Sequence, residues 1–368
     1  MLINEVISVL SNWAPLPYQE SYDNSGLITG DANWKCTGVL CSLDATEEIL
    51  DEAIALGYNM VVAHHPILFN SLKKLSGNSY VEKTLRKAIR NDIAIYAIHT
   101  NLDNIHTGVN KAFALKLGLN ESSLKILAPK TNLLCKLYTY VPEQDAEIVR
   151  TALFNAGAGQ IGLYNECSFS APGTGTFRAM PGSNPVIGTA GGTREEVREL
   201  KLEVVFPAPV MSAVIAALHQ AHPYEVPAYE IINLQNIHQE IGSGMIGELP
   251  YPISDQELLE FIGTTFNAKG IRHTKLLSKP IQKVALCGGA GSFLTKYAIS
   301  VGADAYITAD VKYHEFFDAE DKLLLVDIGH WESEQFTNDL IANFLQLNFP
   351  TFAVLKTKLN TNPVRYFG

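Results

Sequence analysis

Three short stretches of the chain contain closely spaced histidines and carboxylates, the residue types that bind transition metals. They are "VVAHHP" with His64 and His65, "HTNLD" with His99 and Asp103, and "HWESE" with His330 and Glu334. Imidazole and carboxylate ligands suit zinc, manganese, iron, cobalt or nickel. Three histidines and two carboxylates are too many for one four-coordinate site with an open position. They suit two ions, about 3.5–4 Å apart, that share a bridging carboxylate.

Each stretch follows a run of apolar residues that predicts a strand, at 59–63, 93–98 and 323–329. Because ligands of an open parallel sheet bind outside the carboxyl ends of its strands, the three clusters are expected to converge at one edge. Adjacent residues within a strand point to opposite faces, so His64 and His65 are expected just beyond the strand, where Pro66 restricts the turn. His330 and Glu334 share one face if a helix begins at His330.

An isolated histidine beside a strand is more often a hydrogen-bonded core or surface residue than a metal ligand. Four histidines are interpreted in this way: His219, His222, His238 and His273. A neighbouring pair of histidines would also be a weak signal by itself. Three clusters of the same chemical type, each after a predicted strand, favour a metal site.

Two glycine-rich stretches have features of nucleotide-binding loops. "GSGMIG" at 242–247 matches G-x-G-x-x-G, but Pro250 and Pro252 block the helix that should follow, so a loop with glycine-permitted geometry is predicted. "CGGAGSFLTKY" at 287–297 does run from a predicted strand through a turn into a helix. Its backbone N–H groups either hold an anion or serve tight packing, and both interpretations stay open.

Further polar residues are expected near the same edge. "ITADVKYHE" places Asp310, Lys312 and His314 after another predicted strand, so they are expected to line the pocket. "DNSGL" at 23–27 predicts a turn in which Asp23 and Asn24 either cap the backbone or face the site. Histidine titrates near neutral pH, and the candidates for catalytic proton transfer are His99 and His314.

The elements that must position these residues alternate between strands and helices in two parts of the chain. In the first part, strands are predicted at 37–44, 59–63 and 93–98, and helices at 45–57, 80–92 and 108–119. In the last part, strands are predicted at 283–289, 303–310, 323–329 and 351–356, and helices at 292–302 and 332–348. This alternation predicts an α/β fold, with mostly parallel sheets flanked by helices.

The middle of the chain follows another pattern. Strands are predicted at 132–142, 199–207 and 227–234 and helices at 143–157 and 209–222, with a stretch rich in Gly, Ser and Pro at 170–192. Two strand–helix–strand units predict an inserted ferredoxin-like α+β domain. The predicted organisation is a metal-binding α/β domain with halves at 1–127 and 238–368, and an insert at 128–237.

Composition excludes several classes of protein. The 368 residues are 47% hydrophobic and 18% charged, as expected for a globular chain of about two domains. A net charge of −10 argues against binding to polymeric nucleic acid, which needs clustered Lys and Arg. No apolar run approaches the roughly 20 residues of a membrane span, and the N-terminus lacks the basic start of a signal peptide. The five cysteines form no close CxxC pair, so a reducing cytoplasm is expected.

The motifs, in their order along the chain, resemble those of one known family. "DNSGL", "AHHP", "HTNLD", "GSGMIGEL", "CGGAGS" and "GHWESE" resemble the NIF-three-like family (NGG-interacting factor three), also described as GTP cyclohydrolase I type 2 homologues. The resemblance runs along the whole chain, with no departure at a metal position. "HPYEVPAYE" at 222–230 is similar to the copper-tolerance CutA and PII-like signalling domains, which longer members of the family carry as an insert.

This resemblance implies a site for two divalent metal ions. The ligands that it implies are His64, His65, Asp103, His330 and Glu334. His99 is implied as a neighbour of the site rather than as a ligand. The resemblance also implies a ring-shaped homohexamer whose metal sites face an internal cavity. GTP cyclohydrolase activity is attributed to some members of the family and is not assumed for all.

Two hypotheses about function follow. The first is a cytoplasmic dinuclear metal hydrolase acting on a nucleotide-like small molecule, with two ions that lower the pKa of a water toward 7. If the substrate is GTP, "CGGAGS" is the candidate for holding its triphosphate. The second is a metal-binding regulatory or assembly protein without turnover, which uses the PII-like insert to sense ligands or to form oligomers.

Overall fold

The computed structural model describes residues 1–367, and in the first part of the chain short buried strands alternate with helices. The elements there are α1 (Ile3–Trp13), β1 (Gly26–Thr29), β2 (Val39–Ser42), α2 (Glu47–Leu56), β3 (Met60–Ala63), α3 (Tyr80–Arg90), β4 (Ala94–Ala97), α4 (Thr100–Asp103), α5 (Val109–Lys116) and β5 (Lys125–Pro129). Every residue of β2, β3 and β4 is buried, because parallel strands in an α/β fold are covered on both faces.

Helix α2 illustrates how local signals place the strand that follows it. The Thr46 side chain caps the helix by accepting a hydrogen bond from the Ile49 N–H group at 3.4 Å. Gly57 ends the helix with φ 71°, a conformation that glycine adopts without steric cost. Ile49 and Leu50 are fully buried against Val61 of β3, and each burial contributes about 1.5–3 kcal/mol.

The middle of the chain contains four strands and two helices. They are β6 (Leu134–Pro142), α6 (Ala146–Asn155), β7 (Ser168–Phe177), β8 (Glu195–Pro207), α7 (Met211–Ala221) and β9 (Tyr229–Leu234). The strands form an antiparallel sheet in the order β7-β8-β6-β9. The element order and this sheet order are those of the ferredoxin-like fold.

Strand β7 lies in the stretch that was predicted only as rich in glycine, serine and proline. Pro172 and several glycines normally argue against a strand. Here the strand is at the edge of the sheet and pairs with β8 alone, through ten residue pairs from Ser168 to Phe177. An edge strand tolerates proline because only one of its sides is hydrogen-bonded to another strand. The composition of this stretch was therefore a poor guide to its secondary structure.

The last part of the chain returns to short strands and helices. The elements are β10 (Gly242–Ile253), α8 (Asp255–Phe266), β11 (Arg272–His273), β12 (Ile281–Ala290), α9 (Thr295–Ser300), β13 (Ala305–Ala309), β14 (Leu324–Asp327), α10 (His330–Glu334), α11 (Thr337–Asn348) and β15 (Val354–Lys356). The single helix predicted at 332–348 is therefore two helices. Among the described residues, no helix combines the length and apolar character that crossing a bilayer requires.

The stretch "GSGMIG" is the start of β10, and its prediction as a loop was wrong. Met245 and Ile246 pair with residues of β12 on one side and of β5 on the other. These strand partners lie at least 37 positions away along the chain, as in the pair Gly247↔Val284. Long-range pairing of this kind overrides the local preference of glycine for turns.

Outside the middle segment, the strands form two sheets, and each sheet contains one edge strand from the other end of the chain. One has the order β1-β4-β3-β2-β15, and the other has the order β11-β14-β13-β12-β10-β5. Strand β15 comes from the end of the chain but pairs with β2, whereas β5 comes from the first part but pairs with β10. The central strands are parallel and the edges largely antiparallel. The prediction of an α/β fold with sheets flanked by helices is confirmed.

The chain divides into two compact units. The first comprises 1–129 together with the segment from Gln239 onward, and the second comprises Lys130–His238. In the first unit, Pro129 pairs with Gly242 across β5 and β10. In the second, the His238 N–H group donates to the Lys130 carbonyl oxygen at 2.8 Å. Each unit therefore has its chain ends side by side at the junction, as tolerated insertions require.

Replacing residues 130–238 with a short Gly/Ser linker is expected to leave a folded, metal-binding first unit. Pro129 and Gly242 are already paired, so the linker only has to close a hairpin between β5 and β10. Circular dichroism and elemental analysis check the result. An insoluble or metal-free product would show that the two units depend on each other for folding and would contradict the predicted domain boundaries.

Candidate metal centre

The predicted metal ligands lie where the strand ends of both sheets meet. His64 and His65 follow β3, and His99 follows β4, in the five-stranded sheet. His330 begins α10 after β14, in the six-stranded sheet. One open sheet was expected to supply all three clusters, and the structure shows two. The histidine rings nevertheless converge, with centroids 5.0 Å apart for His64 and His65 and 5.1 Å apart for His65 and His330.

Each of these histidines is held through its Nδ1 atom by an oxygen acceptor outside the centre. The contacts are His64 with the Ile98 carbonyl (2.8 Å), His65 with Asp44 (2.8 Å), His99 with Asp23 (2.8 Å) and His330 with Asp310 (2.7 Å). Because carbonyl and carboxylate oxygens accept hydrogen bonds, Nδ1 carries a proton in every case. Nε2 is then the atom available for a metal, as in proteins whose metal-binding histidines are oriented by carboxylates.

Glu334 presents its two oxygens to different histidines. Its Oε2 lies 2.9 Å from Nε2 of His65 and 3.1 Å from Nε2 of His330. Its Oε1 lies 4.0 Å from Nε2 of His64. Gly289 makes this position accessible, because its φ is 62° and an added Cβ would lie 2.5 Å from that Oε1.

Within residues 1–367, three groups of side chains could hold a metal ion, with ligand atoms mutually within 4.8 Å. They are His64, His65 and His99; His65, His330 and Glu334; and His64, Asp103 and Glu334. The last two groups share Glu334. His99, expected as a neighbour rather than a ligand, therefore lies close enough to ligate as well.

Two buried acceptor atoms in this centre have no hydrogen-bond partner. They are Nε2 of His64 and Oδ1 of Asp103, which lie 3.5 Å apart. Because Nδ1 of His64 carries the proton, both atoms present lone pairs to each other. Leaving buried polar atoms unpaired costs about 1–3 kcal/mol each. A cation placed between them would remove this cost, so the residues fit a metal ion.

Burial and the neighbouring charges shift the pKa values of the histidines in the centre. Burial lowers the pKa of His64 to about 3, so this imidazole is neutral and ready to ligate. Although burial opposes its charge, hydrogen bonds to Asp44 and Glu334 raise the pKa of His65 to about 9. Burial also opposes the charge of His330, but Glu334 and Asp310 raise its pKa to about 11. Metal ions would take the place of these protons.

The glycine-rich stretch at the end of β12 has little capacity left for an anion. The Gly288 N–H group donates to Asn110, that of Gly289 to Ser333, and that of Gly291 to Thr308, each at 3.0 Å. Glycine is needed there for close packing, since an added Cβ at Gly291 would lie 2.5 Å from the Thr308 hydroxyl. Of the two interpretations left open by the sequence, the contacts favour packing.

A cavity of about 660 Å³ opens beside the candidate ligands. Its walls include His65, His99, Asp103, His330 and Glu334. His64 is completely buried behind them.

Other residues predicted near the cavity have different positions. His314 is exposed and contacts the rings of Tyr313 and Phe317, and among the described residues neither it nor Lys312 belongs to the cavity wall. The 3₁₀ helix Tyr313–Ala319 carries these side chains past the end of β13. Asp310 was also expected to line the cavity and is not part of its wall, but it accepts a hydrogen bond from Nδ1 of His330.

The turn at 23–27 both orients a histidine of the site and caps backbone N–H groups. Asp23 accepts from Nδ1 of His99, from the Thr100 N–H group at 3.0 Å and from the Asn24 N–H group at 2.7 Å. The Asn24 side chain instead donates to the Leu68 carbonyl at 2.8 Å. Of the two residues, Asp23 therefore faces the site.

The sequence pattern did not predict Asp44 as the partner of His65. Asp44 lies just after β2, next to the strand that precedes His65. Asp44 is the carboxylate at the end of a predicted strand, like Asp310, but the sequence does not show which histidine it contacts. A carboxylate at the end of a strand next to a histidine-bearing strand is well placed to orient that histidine.

Asp44→Asn is expected to weaken metal binding by about 10–100-fold without unfolding the protein. The charged hydrogen bond that orients His65 becomes a neutral one, while the side chain keeps its shape. Competition with a chromogenic chelator measures the affinity for zinc. Asp51→Asn is the matched control, since Asp51 pairs with Lys87 on the surface. Equal affinities in the two variants would contradict the orienting role.

The chain also matches a known family along nearly its full length. A family model described as Duf34/NIF3 (NGG1p interacting factor 3) matches residues 1–363. Proteins with the printed name GTP cyclohydrolase 1 type 2 homolog are 40% identical in Halalkalibacterium halodurans, over 88% of this chain and 87% of that protein, and 32% identical in Staphylococcus epidermidis, over 100% of both.

Solved structures show the same relationship. The crystal structure of a Bacillus cereus protein related to NIF3 superposes with a TM-score of 0.85 at 36% identity, over 100% of this chain and 99% of that one. The crystal structure of a Staphylococcus aureus protein gives a TM-score of 0.78 at 28% identity, with the same coverage. These similarities confirm the family resemblance seen in the motifs. The chain belongs to the Duf34/NIF3 family.

Proposed function

We propose that this chain is a cytoplasmic metal-dependent hydrolase that uses two divalent ions to act on a nucleotide-like small molecule. The observation that carries the proposal is the position of Glu334. Its two carboxylate oxygens face different histidines, and the candidate ligand groups on its two sides share no other residue. A carboxylate that faces two separate ligand groups is the bridging arrangement of two-metal sites.

The five ligands of the proposal are His64, His65, Asp103, His330 and Glu334. His64 and Asp103 form one half with Oε1 of Glu334, and His65 and His330 form the other half with Oε2. Imidazole and carboxylate donors in this ratio suit zinc, manganese, iron, cobalt or nickel.

The remaining polar residues would handle protons. When bound, two divalent ions supply Lewis acidity that makes water a nucleophile near neutral pH. His99 lines the cavity and is oriented through Nδ1 by Asp23, so its Nε2 can accept a proton and return it to a leaving group. The exposed position of His314 does not support the same role, and we assign proton transfer to His99 alone.

Metal-loaded protein incubated with a panel of nucleotides and nucleosides tests the proposal, with products followed by chromatography. Metal-dependent product that disappears in His65→Ala is the expected result. His273→Ala is the matched control, since that imidazole is exposed and its Nδ1 lies 2.7 Å from the Thr274 carbonyl oxygen, outside the candidate ligand groups. Saturable binding without product would instead support the alternative hypothesis of a regulatory protein without turnover.

We also propose that the chain assembles as a homohexamer, which the family resemblance implies. Light scattering at micromolar concentration is expected to give a mass six times that of one 40.3 kDa chain. Closed symmetric assemblies dominate among soluble homo-oligomers. A mass close to that of one chain would contradict the hexamer.

A further inference from the structure

The mouth of the cavity carries four aromatic side chains that expose most of their surface. This aromatic rim consists of Tyr22, Phe69, Tyr80 and Phe293, which are between 51% and 68% exposed. Because these rings bury little of their surface in the core, the stability of the fold does not explain why aromatic residues occupy these positions. Exposed apolar surface grouped around a concave site typically marks the place where a ligand binds.

Phe69 shows how the rim could contact a ligand. Its ring meets the His99 ring edge to face, with centroids 5.6 Å apart and an angle of 81° between the planes. This contact covers only part of the Phe69 ring, which stays 51% exposed. Aromatic surface beside an oriented imidazole suits a flat heterocycle, which can stack on one ring and meet the other at its edge.

The walls of the cavity are unsuited to a polyphosphate. Among the described residues that line it, none is a lysine or an arginine, and four are carboxylates: Glu20, Asp44, Asp103 and Glu334. Two divalent ions would only balance these four negative charges. The cavity would then have no net positive charge to bind a triphosphate. Recognition of phosphate groups ordinarily relies on Arg, Lys or free backbone N–H groups.

The glycines at the end of β12 offer no replacement for the missing cations. This glycine-rich stretch is the natural candidate for an anion site, but the N–H groups of Gly288, Gly289 and Gly291 donate to side chains of the protein itself. The same residues close the wall beside Glu334, where an added Cβ on Gly288 would lie 3.2 Å from its Cγ.

We infer that the cavity recognises the flat heteroaromatic ring of its ligand and not a phosphate group, so that a nucleoside or free base binds at least as well as the corresponding nucleotide. The aromatic rim stacks on the ring and directs one of its edges toward the ligand groups around Glu334. This inference rests on the proposed function, because the charge balance includes the two ions.

Equilibrium dialysis of the zinc-loaded protein tests the inference with four probes: guanosine, guanosine monophosphate, GTP and ribose 5-phosphate. Guanosine is expected to bind as tightly as either nucleotide, within about threefold, and ribose 5-phosphate is expected not to displace it. Phe69→Leu and Phe293→Leu are each expected to weaken guanosine binding by about tenfold, the effect of losing a base-stacking ring. Phe317→Leu, at a comparably exposed ring outside the cavity, should leave binding unchanged.

Several results would overturn the inference. They are tighter binding of a nucleotide than of guanosine by more than about threefold, displacement by ribose 5-phosphate, unchanged binding in both rim variants, or no binding of guanosine at 1 mM. Zinc content and oligomer mass are measured on the same samples, so loss of metal or of assembly is recognised. Product analysis separates the two proposals. Binding of the heteroaromatic ring without product contradicts only the proposed hydrolase activity. Turnover that requires the phosphate groups contradicts only the inference that the cavity recognises the ring.

Discussion

Glu334→Gln is expected to remove at least one metal ion per chain and to lower metal-dependent turnover by about a hundredfold or more. The amide keeps the size of the carboxylate but loses its charge and one of its two equivalent oxygens. Because Oε1 and Oε2 of Glu334 face different histidines, the substitution affects both halves of the centre. Loss of metal assistance removes several kcal/mol of transition-state stabilisation, which corresponds to this change in rate.

The matched control is Glu332→Gln on the same short helix. Glu332 is also buried, and its Oε1 accepts a hydrogen bond from the Asn362 amide at 3.2 Å instead of facing the histidines. This variant is expected to keep its metal content, as measured by elemental analysis. Equal metal loss in both variants would mean that any buried change in α10 disrupts the site, and the bridging role of Glu334 would be wrong.

Metal binding is expected to stabilise the folded protein by about 4 kcal/mol when free metal exceeds its Kd a thousandfold. The ligands belong to both ends of the chain, with His65 and Glu334 separated by 269 positions, so the unfolded chain has no preformed site. Binding also removes the cost of the unpaired Nε2 of His64 and Oδ1 of Asp103. For a unit of this size, the midpoint of thermal unfolding should rise by about 10 °C.

Differential scanning calorimetry with and without a chelator measures this shift. The midpoint temperature should rise for the unfolding transition of the first unit, since the candidate ligands all lie in that unit. Glu334→Gln should show a much smaller increase. If metal raised the melting temperature of wild type and Glu334→Gln equally, the stabilising ions would be bound somewhere other than at Glu334.

The elements around the site could be predicted because their signals are local. The runs before His64 and His99 are continuous and apolar, and the run before His330 is apolar apart from Asp327, which is how buried parallel strands are recognised. The helix was predicted to begin at residue 332, and the structure places its start at His330, so that His330 and Glu334 share one face. Gly329, with φ 94°, permits the abrupt change of direction between β14 and this helix.

Features that depend on distant partners could not be predicted in this way. β5 and β15 each join a sheet built mainly by the other end of the chain, and no local pattern encodes that exchange. The strand that begins at Gly242 exists because β12 and β5 pair with it, although its own glycines favour a turn. Likewise, Asp44 becomes the partner of His65 only when β2 and β3 lie side by side.

The aromatic rim had no signal in the sequence. The four residues come from separate segments: Tyr22 and Phe69 lie outside the helices and strands, Tyr80 is the first residue of α3, and Phe293 belongs to the 3₁₀ helix Ser292–Leu294. Periodicity identifies residues that face a core, whereas these rings face a cavity that is formed only by the complete fold. The absence of lysine and arginine from the cavity wall becomes visible for the same reason only in three dimensions.

The number of metal ions in wild-type protein purified without chelator tests the central claim most directly. Elemental analysis, referenced to protein concentration from amino-acid analysis, is expected to give two transition-metal ions per chain. His64 and Asp103 on one side of Glu334, and His65 and His330 on the other, each provide ligands for one ion. One ion or none per chain, in protein with all five ligand residues intact, would contradict the two-metal centre.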